Sequence, residues 1–410
     1  MMRGILICTF LLSAVGSVSP SLPINDLMTY AGSQYHIVYN QWKNNTFQYY
    51  PTFGYPQNAE WQSSTATTGW TSGFFPGVMW NLYEYNSTFL NMDYALAVTT
   101  PTRLFANNTQ THDVGFVIMS GCGNAYRLLK AKSFAEVIIK AAQSLSTRYS
   151  PIVHCTRSWN SAHGFLVIID NMMNLELLYE ANVLTNNQTF YNIAFNHANR
   201  TMYEHFREDN STYHVVEYNE TDGNVVQKYT AQGYSNNSTW SRGQAWAIHG
   251  FTISYRYTRH QPFLDTAIGA ANYFLSRLQG EVQDSVPYWD FDSPFNATYQ
   301  PRDTSAASII ASALLELAQY VPSELSLVYL NASEIILNNL GSAVYLASGN
   351  KIYQLPAILV NGTSGPYHNP QSPAYDVAES YGDYYFTQAL VRYSKLKQGK
   401  KLDLMLNASD

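Results

Sequence analysis

Apolar residues recur three and four positions apart through most of this chain, a spacing that predicts helices rather than strands. The segment Pro76–Tyr83 opens with a proline, which a first helical turn tolerates well. Val114 to Ala131 repeats the pattern, and Phe165 to Ala181 reads as a long buried helix. Gly243 to Tyr257 and Phe263 to Leu278 follow as two more. Asp303 is placed to cap a nearly all-apolar helix from Thr304 to Tyr320. Asp383 is placed to cap a last helix through Tyr393, with Phe386, Leu390 and Tyr393 on one stripe. Strand signals are short: His214–Tyr218 and Val225–Gln227, joined by a turn over Asn219–Gly223, read as one β-hairpin. About a dozen helices in all, joined by loops carrying Gly, Pro, Asn and Asp, predict an all-α ring of helical hairpins around one core. Loops at one end then build a cleft.

The N-terminus departs from this pattern. Met1-Met2-Arg3 precedes an apolar run from Gly4 to Val15, and Ala14-Val15-Gly16 supplies small residues for cleavage. Residues 1–16 are therefore expected to be a secretory signal, too short to span a bilayer. Acceptor sequons at Asn44, Asn86, Asn107, Asn187, Asn199, Asn210, Asn219, Asn236, Asn237, Asn296, Asn331, Asn361 and Asn407 predict a secreted, extracellular, N-glycosylated protein. Cys122 and Cys155 then remain as one disulfide or two buried thiols. A net charge of −6 without a basic run argues against nucleic acid and anionic membranes as partners. Charged residues make up 13% of the chain, against about 25% in typical domains. Each basic group in a pocket gains weight from that scarcity.

Trp240-Ser241-Arg242-Gly243-Gln244-Ala245-Trp246 places two indoles around one guanidinium. A flat ring is what a sugar face stacks on, and a guanidinium pairs with a carboxylate, so the segment suggests a pocket for an acidic sugar. Trp246 is assigned to the core. His112-Asp113 sits at a loop-to-helix junction, where Asp113 serves as an N-cap or as a functional carboxylate. Asp170 and Asn174 share one helix face within Ile168–Asn174. Desolvation would raise the pKa of Asp170, fitting it for general acid and base work, unless it is a structural acid bonded to backbone amides. His214 and Gln232 precede the Trp240 segment. Arg302 is expected to hold loops by pairing with Asp303 or Asp292. No His-x-x-x-His, Cys-x-x-Cys, glycine-rich phosphate loop or Gly-x-Ser-x-Gly elbow occurs, so no metal, cofactor or serine nucleophile is expected.

Several segments, taken in order, resemble the unsaturated glucuronyl hydrolases of glycoside hydrolase family 88. They are Gly69–Gly77, His112–Phe116, Ile169–Asn174, Trp240–Trp246, Pro287–Asp292, Pro301–Ala307 and Gly382–Phe386. The resemblance implies an (α/α)6 barrel acting on lyase-generated oligosaccharides; residues 17–410 are expected to form one catalytic domain, and the protein is expected to be a monomer. These carry a 4,5-unsaturated uronic acid at the non-reducing end. It implies hydration of the vinyl ether, with Asp170 as acid/base and Asp113 as the second essential carboxylate. His112, His214, Gln232, Trp240 and Arg242 match binding positions, Trp70 and Trp159 match stacking aromatics, and Tyr367 is a looser match. Two other readings stay open: an unsaturated rhamnogalacturonyl hydrolase or a polysaccharide lyase on the same barrel, and a non-catalytic sugar-binding protein.

Overall fold

The computed structural model describes residues 22–405 apart from Phe89, 162–163, 282–283, 295–299, 350–352 and 366–373. The expected leader at 1–16, the candidate Tyr367 and the sequons at Asn296 and Asn407 lie outside the described residues. Thirteen α-helices are described. They are α1 (Ile24–Trp42), α2 (Phe74–Tyr85), α3 (Met92–Thr99), α4 (Val114–Ile118), α5 (Asn124–Leu129), α6 (Lys132–Ser146) and α7 (Leu175–Thr185). They continue with α8 (Gln188–Glu204), α9 (Ser241–Thr258), α10 (Gln261–Glu281), α11 (Thr304–Leu317), α12 (Ser323–Leu340) and α13 (Ser380–Lys397).

Packing sorts these into two rings. The inner ring runs α2, α4–α5, α7, α9, α11, α13 and back to α2; α1, α3, α6, α8, α10 and α12 pack outside it. This is the (α/α)6 barrel, and the reason lies in burial. Every residue of α11 and nearly every residue of α9 is buried, so these helices have no polar face to offer solvent. The outer helix α6 instead buries one stripe only, with Phe134, Ile138, Ala141, Ala142 and Leu145 inward. One continuous apolar cluster reaches from Leu22 to Tyr393 and includes Trp80, Trp246 and Trp289. Trp246 is completely buried, the core position expected of it. No described helix is long and apolar enough to cross a membrane.

Two elements differ from the sequence expectation. Phe165–Ala181 is not one helix: Phe165–Ile168 is a strand, Ile169–Asn174 a 3₁₀ turn, and α7 begins at Leu175. The strand is buried on both faces, with Phe165 and Val167 packed on Val216 and Tyr218. A strand covered on both sides reads as an unbroken apolar run, which periodicity cannot separate from a buried helix. It pairs antiparallel with Val215–Tyr218, which in turn pairs with Val225–Tyr229, so the expected hairpin gains a third strand. The Val114–Ala131 helix carries a π-helical turn at Met119–Gly123 and ends at Leu129, where Lys130 turns left-handed at φ 51°.

Three side-chain expectations are also revised. Asp383 does not cap the last helix. That helix starts three residues earlier, and buried Asp383 accepts the N–H groups of Ile358 and Leu359 and the Tyr35 hydroxyl. Arg302 pairs with neither Asp303 nor Asp292; it donates to the Val286 carbonyl and faces Asp284 at 3.5 Å. Asp292 takes Arg277 instead. Cys122 and Cys155 are two buried free thiols, both pushed up by burial, Cys122 to about 12. The Asp303 cap is present: its Oδ1 accepts from Ser305 N at 3.0 Å and Ala306 N at 3.2 Å.

Candidate active site

Side chains from the N-terminal ends of the inner helices converge on one rim of the barrel. Trp70 precedes α2, His112 and Asp113 precede α4, and Asp170 sits in the 3₁₀ turn before α7. Trp240 and Arg242 open α9, Asp303 caps α11, and Glu379 and Tyr381 start α13. Helix N-termini carry unpaired N–H groups and the positive end of the helix dipole, so this rim favours an anionic ligand.

Asp170 is 8% exposed. Burial is the main cause that lifts its carboxyl to about 7; the Arg242 charge opposes the rise, and Asp113 adds to it. The expected desolvated acid is therefore present, with its protonation balanced near neutrality. His214 Nε2 lies 3.6 Å from Asp170 Oδ2. His214 Nδ1 accepts the N–H groups of Ala231 at 3.1 Å and Gln232 at 3.3 Å. An accepting Nδ1 leaves the proton on Nε2, facing Asp170. Burial, then Arg242, holds this imidazole down to about 3, so it is neutral and meets Asp170 as a dipole rather than as an ion pair.

The second pair repeats the arrangement. His112 Nε2 lies 3.2 Å from Asp113 Oδ1, while its Nδ1 lies 3.3 Å from Asn174 Nδ2. Burial lowers the His112 pKa against the raising effect of Asp113. Asp113 does not use its side chain to cap α4; its Oδ2 accepts the Thr111 hydroxyl at 2.6 Å. The segment around Ser158 ties the two pairs together. Its carbonyl accepts His112 N–H, and its hydroxyl accepts Ile168 N–H, two residues before Asp170.

Three buried polar atoms at this junction have no hydrogen-bond partner among the described residues: His112 Nε2, Asp170 Oδ2 and His214 Nε2. Buried polar atoms are nearly always satisfied, so these three are candidates to bond water or the hydroxyl groups of a ligand.

Arg242 is built in more firmly than the sequence suggests. It is 2% exposed. Nη1 donates to Asp303 Oδ2 at 2.6 Å and to the Thr363 carbonyl at 2.9 Å; Nη2 donates to Gln232 Oε1 at 3.2 Å. Glu379 Oε1 lies 3.6 Å from Nη1. The guanidinium is held between the rings of Trp240 and Tyr381, at 4.7 and 5.2 Å. Burial, reinforced by Asp303, raises Glu379 to about 8 against the pull of Arg242. Trp240 also packs 4.6 Å from the His214 ring, with half-buried Trp159 edge-on at 6.1 Å. Half-buried Trp70 packs against Tyr381 at 5.0 Å.

Thus the structure brings together Trp70, His112, Asp113, Trp159, Asp170, His214, Gln232, Trp240 and Arg242. Asp303 stood out in the sequence as a cap and as a partner for Arg302, and its hold on Arg242 in place of Arg302 was not foreseen. Glu379 and Tyr381 gave no local signal, because they reach Arg242 from more than a hundred residues away. Trp246 belongs to the core and also lies close enough to Asp170 to oppose slightly the rise of its carboxyl.

An (α/α)6 barrel with a buried aspartic acid, its pKa raised by burial, beside a second aspartate and half-buried indoles defines a carbohydrate-active protein. No family model matches the chain. It is 40% identical over 331 residues to an unsaturated glucuronyl hydrolase of Formosa agariphila, covering 80% of both chains. It is 31% identical to an unsaturated chondroitin disaccharide hydrolase of Streptococcus agalactiae, over 80% of this chain and 82% of that protein. A solved unsaturated glucuronyl hydrolase specific for heparin superposes with a TM-score of 0.82 at 34% identity, covering 91% of this chain and 98% of that one. The chain belongs to the unsaturated glucuronyl hydrolase family.

Proposed function

We propose that this protein releases the 4,5-unsaturated uronic acid from the non-reducing end of lyase-generated oligosaccharides. The observation that carries the reading is Asp170. It is a carboxyl lifted to about 7 by burial, with Oδ2 unpartnered and 3.6 Å from the neutral His214 imidazole. A vinyl ether must first gain a proton and then lose one from water, and a single group poised near neutrality does both.

In this reading the protonated Asp170 gives its proton to C4, and the ring oxygen shares the positive charge that develops at C5. Water adds at C5, and its proton returns to the Asp170 carboxylate. The resulting hemiketal opens to a ketone, and the hemiacetal left at C1 expels the neighbouring sugar. Asp113 holds ring hydroxyls together with the Nε2–H groups of His112 and His214. Half-buried Trp70 and Trp159 stack on sugar faces, whereas Trp240, 3% exposed and packed against Arg242 and His214, supports those two groups rather than meeting the sugar. Arg242 and Gln232, with the helix N-termini, attract the uronate. Because no displacement occurs at the anomeric carbon, the carboxylate-separation rule for retaining and inverting enzymes does not apply.

The test follows the ultraviolet absorbance of the C4=C5 bond conjugated to the carboxylate. A panel of unsaturated disaccharides from chondroitin, heparin and unsulfated polymers is the substrate set, since relatives named for chondroitin and heparin make both candidates. Loss of absorbance with release of the second sugar is the expected result. A gain on intact polymer would mean a lyase, and binding without change would mean a sugar-binding protein.

We further propose that the enzyme acts outside the cell as a monomeric N-glycosylated protein made as one catalytic domain. Support comes from the apolar run at Gly4–Val15 and from the sequons. None of their asparagines among the described residues is buried. A mass decrease on glycosidase treatment of secreted material checks this.

A further inference from the structure

The proposed reaction needs Asp113, and Asp113 takes its setting from His112. Asn174, on the next inner segment, reaches His112 from behind. Asn174 Oδ1 accepts the Phe116 N–H at 2.7 Å. That donor is a backbone amide, so only the oxygen of the Asn174 side chain can face it. The amide nitrogen is thereby forced to the other branch, where it lies 3.3 Å from His112 Nδ1. An N–H group facing Nδ1 makes that nitrogen the acceptor, and the single proton of the neutral imidazole then sits on Nε2. Nε2 lies 3.2 Å from Asp113 Oδ1 and has no hydrogen-bond partner among the described residues. The chain of assignments starts at a backbone donor.

The backbone is shaped to keep this contact. A Cβ on Gly115 would fall 2.4 Å from Asn174 Cα and 2.7 Å from its Oδ1, so only glycine lets α4 approach this closely. Asn174 itself is fully buried.

We infer that Asn174 is a positioning residue for the reaction: its oriented amide fixes His112 as the Nε2–H tautomer, so that this single N–H, facing Asp113 Oδ1, is the donor offered to a substrate hydroxyl held there. The inference rests on the proposed hydrolysis, but tautomer and turnover are measured separately.

Asn174→Asp separates this role from a structural one. An aspartate still accepts the Phe116 N–H, so the fold contact survives. It cannot donate to Nδ1, so the His112 proton is drawn to Nδ1 and Nε2 turns a lone pair, or a second proton's charge, toward Asp113. The experiment is long-range ¹⁵N–¹H correlation NMR, with His112 assigned by its loss in His112→Gln, alongside kcat and Tm. Expected results are the Nε2–H form in the unmutated protein and a changed His112 state in Asn174→Asp. With it, kcat should fall at least ~10-fold, as for a general acid/base network, while Tm moves by only a few degrees. Asn174→Ala, which loses the Phe116 contact too, should lower both kcat and Tm. A protonated Nδ1 in the unmutated protein overturns the inference, as does full kcat in a folded Asn174→Asp. If Asn174→Asp does not fold, the tautomer of the unmutated protein decides alone. If the unmutated protein shows the Nε2–H form but no hydrolysis, the functional reading fails and the tautomer assignment stands.

Discussion

At the scale of single residues, the site is governed by burial acting on ionisable groups. Asp170→Asn removes the proton that C4 must receive, while the amide keeps the carboxyl's size. It should fold with a Tm at neutral pH no lower than that of the unmutated protein and retain under a tenth of kcat; activity above that in the absorbance assay would remove Asp170 from the chemistry. The pH dependence follows from the same group. Its proton is present below about 7 and lost above, so kcat/KM should fall as pH rises past neutrality. Arg242 has a different fate from the one its sequence context suggests. A guanidinium free to clamp a substrate would, on truncation, raise KM alone. This one is paired with Asp303 at 2.6 Å. Its removal leaves buried carboxylates uncompensated, a change that costs about 3–5 kcal/mol. Arg242→Ala should therefore lower Tm by several degrees together with kcat/KM; an unshifted Tm would show that the Asp303 pair carries no stability.

At the scale of elements, one side chain often serves a helix end and the site at once. Asp303 caps α11 with Oδ1 and holds Arg242 with Oδ2. Losing the cap alone costs about 1 kcal/mol, whereas stranding Arg242 costs more. Asp303→Asn keeps an acceptor for the cap and sheds only the charge; Asp303→Ala sheds both. Urea unfolding should rank them native, Asn, Ala, and equal losses would deny the double role. The helical pattern of most elements was legible because α9, α11 and α13 carry long apolar spacing bounded by polar ends. The Phe165–Ile168 strand was not, because burial on both faces erased its alternation. Nor was the start of α13: the sequence put the cap at Asp383, whose polar partners lie at Ile358, Leu359 and Tyr35, far away along the chain.

At the scale of the molecule, the barrel keeps several acids in the dry interior. Asp170 and Asp383 are lifted to about 7 and Glu379 to about 8, each first by burial. Each has a folded pKa above its unfolded value of about 4. The stability they confer is complete below pH ~4 and is lost as pH rises through 7 to 8. Glu84 works oppositely. Burial pushes it up, but Arg127 and Lys395 outweigh that and hold it low, so its contribution fades as pH falls below ~4. Thermal stability should accordingly be greater at pH 5.5 than at pH 8. Asp383→Asn should shrink that difference; equal Tm values at the two pH values would contradict the burial argument.

The sequence by itself determined the helical class, the core position of Trp246, the hairpin after His214 and the residue types at the rim. Those properties reside in local spacing: an apolar stripe, a capping acid, a turn between short strands. It also marked Arg242 through the scarcity of charged groups, while the apolar run around Asp170 and the family resemblance marked Asp170 and Asp113. Only the tertiary structure decided what each charge does. Whether a carboxyl near the C4 position holds a proton depends on its distance from Arg242 and on how much water surrounds it. Whether an arginine clamps substrate or braces the protein depends on Asp303, Thr363 and Glu379, which the ring closes around it from α11 onward. Tautomers of His112 and His214 depend on Asn174 and on the amides of Ala231 and Gln232. Ionisation and proton position are set by groups distant in the chain and close in space, and it is closure of the barrel that brings them together.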